Sequence, residues 1–322
     1  MTMEFNKKYF VKTAPLVLSI GIFMGGIFAG CGPVKTRGGV NDVNLQESDM
    51  PAANNEPREE RIMENFRALA KTGAKLPEVI DFLDENISVV SKEKAAEMLD
   101  RLEKLQQEFL PNIEKRFYND ETIQVKMSEV YTQGFDLGKV YEIEDEKVRE
   151  LLSKTKNSGY RVETAEGMFF PVIDYEVYKK YSEYVTEDVK EYINIMAEES
   201  NNPPAKDAAL VVGWDEVLKR ALNQEKFIKR YEDSAKVGKV KELYRKYLTF
   251  TLFGLNNTPL FEYNSKVMDA GAKEAYIKFL ESENSGGFYE VVKDYMKVLD
   301  KNGYKLTDEV AEFRENLVEK SK

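Results

Sequence analysis

The sequence predicts an all-α, multi-helix, bundle-like body with one short β-hairpin near residues 160–173. Three observations predict it. Apolar residues recur three and four apart over most of the chain beyond residue 59, which places them on one face of a helix. These runs are opened by Ser, Thr or Asp and closed by Gly, Asn or Pro. Period-two alternation around a glycine turn is expected at a single place.

Ile62, Phe66, Leu69 and Ala70 form the first run and Gly73 closes it; Leu76, Val79, Ile80 and Leu83 form the second. Ala95, Met98, Leu99, Leu102, Leu105 and Phe109 make a long third stripe, with Ser91 placed as its N-cap and Glu93 in its first turn. Pro111 is expected to bend or break this helix, because it lacks an N–H and its ring clashes one turn back. Three such helices with short links read as an antiparallel bundle. Residues 122–132 and 145–156 give two more helices, the latter ending at Asn157-Ser158-Gly159.

Tyr160–Thr164 and Met168–Val172 flank Ala165-Glu166-Gly167, which is the hairpin signal, and Pro171 assigns its strand to an edge. Helices resume at Tyr175, with Val177, Tyr181 and Tyr184 on one face, then at Thr186-Glu187-Asp188 with Val189, Tyr192, Ile193 and Met196. Asn201-Asn202-Pro203-Pro204 stops that run. Further helices are expected from Trp214, from Val240 to Phe253, from Val267 to Leu280, from Tyr289 to Leu299 and from Thr307 to Glu319. Tyr175–Tyr192 and Tyr289–Phe313 echo one another, which reads as reuse of a helix-cap-helix pattern rather than as a solenoid.

The N-terminus sets the solvent of all this. Lys7, Lys8 and Lys12 precede an apolar run from Ala14 to Gly30, and Phe28-Ala29-Gly30 leads directly into Cys31, the sole cysteine. A basic region, an apolar region and small residues form the grammar of an export signal, and the run is shorter than the roughly 20 residues of a membrane-spanning helix. Phe28-Ala29-Gly30-Cys31 resembles the lipobox of bacterial lipoproteins, with Phe28 where leucine is usual. The resemblance implies cleavage before Cys31 and a lipid anchor on its thiol. An ordinary signal peptide with an incidental Cys31, or an uncleaved apolar anchor, are the other readings, and all three put the body outside the cytoplasm.

The expected organisation is a signal peptide at 1–30, a flexible tether at 31–58, an N-terminal helical region at 59–158 and a C-terminal helical region at 159–322 that begins with the hairpin. Residues 32–58 carry Gly32, Pro33, Gly38, Gly39, Pro51 and Pro57 and few large apolar residues, a composition that buries too little to fold. The helical body reads either as one domain or as a pair divided near residue 158.

Composition removes several function classes. Loss of residues 1–30 takes away Glu4, Lys7, Lys8 and Lys12, so the formal charge moves from −10 to −12. An acidic body does not suit a nucleic-acid backbone, and on anionic lipid it argues for a tether that holds the body off the surface. The chain has no histidine, which excludes imidazole bases and the zinc sites built on them. No nucleotide-binding glycine loop is present, and no cofactor or metal is expected.

Carboxylates, lysines, tyrosines and hydroxyls remain for chemistry. Ile195-Met196-Ala197-Glu198-Glu199-Ser200 faintly resembles the Glu-Ser motif of lytic transglycosylases, which implies Glu199 as a general acid on a glycosidic oxygen in peptidoglycan. Asn202 stands where that family has an aromatic residue, and the Gly-Leu-Met-Gln and Asn-Ala-Gly elements are missing. The competing expectation is a solvated acidic helix end. Tyr160 and its aromatic neighbours, Trp214 at a helix start, and Asn256 and Asn257 in a turn are candidate ligand contacts. Their structural alternatives are a helix seam, a core anchor and a helix C-cap. Glu142, Glu144, Asp145 and Glu146 read as a helix N-terminus rather than a cation site.

Two functions compete. One is a non-catalytic binding or assembly protein of the cell envelope, whose partner is a cell-wall component or envelope protein met across a contiguous exposed apolar or aromatic patch. The other is a carboxylate-dependent enzyme that cleaves cell-wall glycan.

Overall fold

Capped amphipathic helices make up most of the chain, and the turns between them decide where the short strands fall. The computed structural model describes residues 56–130 and 137–320. Cys31, the signal segment and the tether up to residue 55 lie outside the described residues.

Helices α1 (Glu56–Leu69), α2 (Leu76–Asn86) and α3 (Lys92–Tyr118) follow in turn. Met63 and Phe66 of α1, Val79 and Leu83 of α2, and Ala95, Met98, Leu99 and Leu102 of α3 are buried together, as the helical spacing requires. Ser91 stands at the N-cap of α3, but its N–H and hydroxyl both donate to Glu59 rather than capping the helix. The helix runs on through Pro111. A proline inside a helix costs about 3 kcal/mol in lost hydrogen bonding and ring clash. Leu105 before it and Phe117 after it are fully buried in two different cores, and that packing holds the two halves in one helix.

Helix α4 (Glu121–Val130), a 3₁₀ turn (Leu137–Glu142) and α5 (Glu146–Asn157) come next. Asp145 caps α5 by accepting the Val148 N–H at 3.0 Å. Strands β1 (Tyr160–Ala165) and β2 (Met168–Ile173) pair antiparallel from Tyr160↔Ile173 to Ala165↔Met168. Their two-residue turn puts Glu166 at φ 50° and Gly167 at φ 75°, the mirror-image turn that matches strand twist. A lone hairpin is marginal, and this one is pinned to α4 where Gln124 accepts the Phe169 N–H at 2.8 Å and donates to the Phe169 carbonyl at 2.9 Å.

The segment after the hairpin forms only a 3₁₀ turn, Val177–Tyr181. Its tyrosines are tied down instead: Tyr178 donates to Gln106 and Tyr181 to Asp84. The matching stretch from Tyr289 lies in an α-helix, so the sequence echo is not a structural repeat. Helix α6 (Glu187–Asn201) ends where the Asn-Asn-Pro-Pro stop predicts.

Two further hairpins appear where the sequence predicts none. Strands β3 (Ala205–Lys206) and β4 (Ala209–Leu210) precede α7 (Trp214–Arg230), and β5 (Gly254–Leu255) and β6 (Thr258–Pro259) follow α8 (Val237–Phe253). Gly254 ends α8 at φ 70°, ψ −150°, and a Cβ there would lie 2.3 Å from the Thr258 carbonyl oxygen. That backbone region is open to glycine alone. The C-cap is therefore Gly254, and Asn256 and Asn257 form the hairpin turn beyond it. Helices α9 (Ala270–Ser282), α10 (Gly287–Lys301) and α11 (Asp308–Lys320) complete the chain. Val267, expected in α9, instead bridges to Lys305.

Three apolar clusters result. The first joins α1, α2, α3 and α6 with Tyr160 and the Tyr175–Val185 segment, so it draws on both sides of residue 158. The second joins α7 to α11, and a smaller third lies under α4, α5 and the β1–β2 hairpin. No helix among the described residues is long and apolar enough to cross a membrane.

Candidate functional site

The tips of the three hairpins meet. Asp207 of the β3–β4 turn accepts the Glu166 N–H of the β1–β2 turn on Oδ1 at 3.1 Å. Asn257 of the β5–β6 turn donates its N–H to the Ala208 carbonyl at 2.9 Å and its Nδ2 to the Asp207 carbonyl at 2.7 Å. Thr258 Oγ1 accepts the Leu210 N–H at 3.1 Å. Glu166, Asp207 and Ala208 all sit at positive φ, between 49° and 57°, although none is glycine. Such residues cost about 1–2 kcal/mol each, and strain of this kind collects where surrounding structure over-determines the backbone.

Beside these tips lies an open depression of about 500 Å³, lined by Asn256, Asn257, Pro259, Glu262, Tyr263 and Asn264. Its far wall is a tight loop. Phe261 bridges to Met268, Glu262 donates its N–H to the Val267 carbonyl at 2.9 Å, and Lys266 turns the chain at φ 60°. Tyr263 is 62% exposed, yet its hydroxyl donates to the Asn256 carbonyl at 2.6 Å, so the ring is fixed across the gap between β5–β6 and the loop. Leu306 donates its N–H to the Lys266 carbonyl at 2.8 Å and backs the loop from the α10–α11 connection. Sequence reasoning finds Asn256 and Asn257 and misses Glu262, Tyr263 and Asn264. The signal was a polar stretch, Glu262-Tyr263-Asn264-Ser265, between the apolar pairs Leu260-Phe261 and Val267-Met268.

Glu199 is elsewhere and is not a solvated helix end. Its side chain is 11% exposed; Oε1 lies 3.2 Å from Arg220 Nη1 and accepts from the Tyr247 hydroxyl. Arg220 also reaches Glu198 Oε1 at 2.9 Å, Glu216 Oε1 at 2.8 Å and the Asn202 carbonyl at 2.8 Å. Burial raises the Glu199 pKa, against the pull of Lys246, Tyr247 and Arg220. Burial likewise lowers that of Lys246. Side chains of three helices, α6, α7 and α8, are thus locked at the end of α6.

Tyr160 and Trp214 pack against the first and second cores. Tyr160 is 1% exposed and donates to the Gln106 carbonyl at 2.6 Å. Trp214 is half-buried and packs edge-on to Tyr276, with ring centres 6.4 Å apart. Of the predicted contacts, only Asn256 and Asn257 are brought together on an open surface. Exposed apolar side chains such as Val89, Tyr118, Tyr184 and Ile277 stand on separate elements, whereas Tyr263 and Val267 share the loop of the depression.

Comparison of the chain with protein-family models, with curated proteins and with solved structures yields no match. No residue role is therefore carried over from a relative.

Proposed function

We propose that this protein is a membrane-tethered extracytoplasmic lipoprotein that serves as a non-catalytic binding or assembly protein of the cell envelope. The observation that carries the reading is Phe28-Ala29-Gly30-Cys31 at the end of a basic and then apolar leader, followed by a tether-like stretch and an acidic body. Diacylation supplies about 0.8 kcal/mol per buried methylene, and more than one chain makes the anchor stable. The hairpin-tip depression is the surface we assign to the partner, because polar groups on rigid loops are what a recognition site needs. The test is the intact mass of the protein from membranes of its native host. A chain starting at Cys31 plus lipid, lost in Cys31→Ala, is the expected result, and the mass of the full unmodified chain overturns it.

One observation favours the second reading, cleavage of wall glycan. Burial raises the Glu199 carboxyl, as a general acid requires. Its Oε1 is nonetheless occupied by Arg220 and Tyr247. On the binding reading, Glu199→Gln leaves any clearing of peptidoglycan in a zymogram unchanged. A clearing activity of the wild type that the variant loses would establish the enzyme instead.

A further inference from the structure

We propose that the hairpin-tip depression binds a neutral, hydroxyl-rich saccharide. The chemistry follows from the lining. The Asn256 and Asn264 side-chain amides have no hydrogen-bond partner among the described residues. Each amide offers two donors and an acceptor, which suits neighbouring sugar hydroxyls that both donate and accept. Glu262 adds a carboxylate of which one oxygen, Oε2, takes the Ser265 hydroxyl at 2.7 Å and leaves Oε1 for a ligand. Tyr263 supplies an exposed flat ring, and a pyranose presents a C–H face that packs on such a ring while its hydroxyls reach the rim.

Charge and shape narrow the class. The lining holds one carboxylate and no cation, which disfavours phosphate, sulfate and carboxylate ligands. Pro259 is its sole aliphatic member, too little apolar area to seat a hydrophobic peptide anchor. The volume falls in the usual range for small-molecule sites, about 300–1,000 Å³. A shallow site gains little from burial, so it depends on groups already in place. Here Asn257 is pinned to Asp207 and Ala208, Tyr263 to Asn256, and the loop by the Phe261↔Met268 bridge. The strained residues Asp207 and Ala208 hold Asn257 by hydrogen bonds, and Lys266 turns the loop that carries Tyr263 and Asn264.

The saccharide chemistry stands by itself; its source in the wall glycan rests on the envelope reading above. The experiment uses the full chain in detergent. Isothermal titration is run with chitotetraose, cellotetraose and maltotetraose, and co-sedimentation with purified peptidoglycan. At least one tetrasaccharide binds saturably, and Tyr263→Ala and Asn264→Ala each weaken it by about tenfold or more, the loss of one stacking or hydrogen-bond contact. Both residues are exposed, so the melting temperature is unchanged; if Tyr263→Ala lowers it, Asn264→Ala decides. Failure to bind any of the three sugars, or equal binding by both variants, overturns the proposal. Peptidoglycan held equally by wild type and Tyr263→Ala overturns this site and leaves the envelope-binding reading standing. A tetrasaccharide bound through Tyr263 without peptidoglycan binding supports the saccharide site with a soluble source and removes the wall.

Discussion

At the scale of the residue, the clearest consequence concerns a charge buried in the first core. Glu103 of α3 is 1% exposed, with Lys236 2.7 Å from one oxygen and Lys239 2.8 Å from the other, and the Tyr175 and Tyr192 hydroxyls donating to it. Burial opposes its ionisation, but the two lysines prevail and bring its pKa from 4.5 down to about 2. A carboxyl depressed on folding stabilises the native state fully above its unfolded value. That contribution is lost as pH falls from about 4.5 towards 2, and a shift of this size corresponds to about 3 kcal/mol. Glu103→Gln leaves two lysines in or near the core with Asp100 as the remaining carboxylate, so a loss of about 3–5 kcal/mol is expected at pH 7. Urea unfolding at pH 7, 4.5 and 2.5 checks it: the gap between the two proteins closes as the pH falls. Parallel curves across that range would show that the pair contributes nothing through Glu103. None of this was legible in the sequence, where Glu103 is one more polar position on an amphipathic stripe; Lys236 lies 133 residues away and only the fold brings them together.

The element scale separates what periodicity reveals from what it hides. Long helices carry their own signal, since a burial face repeats over several turns, and α1, α2, α3 and α6 fall close to the expected stretches. Two-residue strands carry no repeat at all. The β3–β4 and β5–β6 hairpins are visible only as turn chemistry, and Asp207-Ala208 lacks the glycine that would have marked the first. Pro111 is the converse case, a strong local signal overruled by packing on both sides. Its side chain is exposed and its ring serves no core, so replacing it restores a helical hydrogen bond at little cost in contacts. Pro111→Ala is expected to stabilise the protein by about 1–3 kcal/mol, net of the entropy the unfolded chain regains. Thermal unfolding followed by circular dichroism reads this as a higher melting temperature. A lower one would mean that the proline sets a bend on which the seating of Phe117 depends.

For the whole molecule the question is how an acidic body would sit at a membrane if the proposed lipid anchor holds it there. The candidate depression is lined by one short stretch, residues 256–264, and the turns at 166 and 207 only buttress it; Asn256 and Asn257 were findable because turn residues are, whereas Tyr263 sits in a loop whose fold-back is set by the Phe261–Met268 bridge. The charge, by contrast, is a property of the full sequence, −12 once residues 1–30 are removed. In the proposed arrangement, the lipid on Cys31 supplies the attachment, and the stretch between Cys31 and α1, which its composition reads as a tether, has a reach of about 30 Å. Such a reach exceeds the Debye length of about 8 Å at physiological salt, so the body stands beyond the surface field there and feels it only at low ionic strength. Binding of the lipidated protein to vesicles should therefore be as strong on neutral as on anionic lipid at 0.15 M salt. It should weaken on anionic vesicles at about 0.01 M, where the Debye length grows to about 30 Å and the like charges meet. Flotation assays across that salt range give the answer. Tighter binding to anionic vesicles at low salt would mean that a basic face of the body lies on the membrane, which would turn the hairpin tips towards the bilayer or away from it and end the picture of a body held off by its tether.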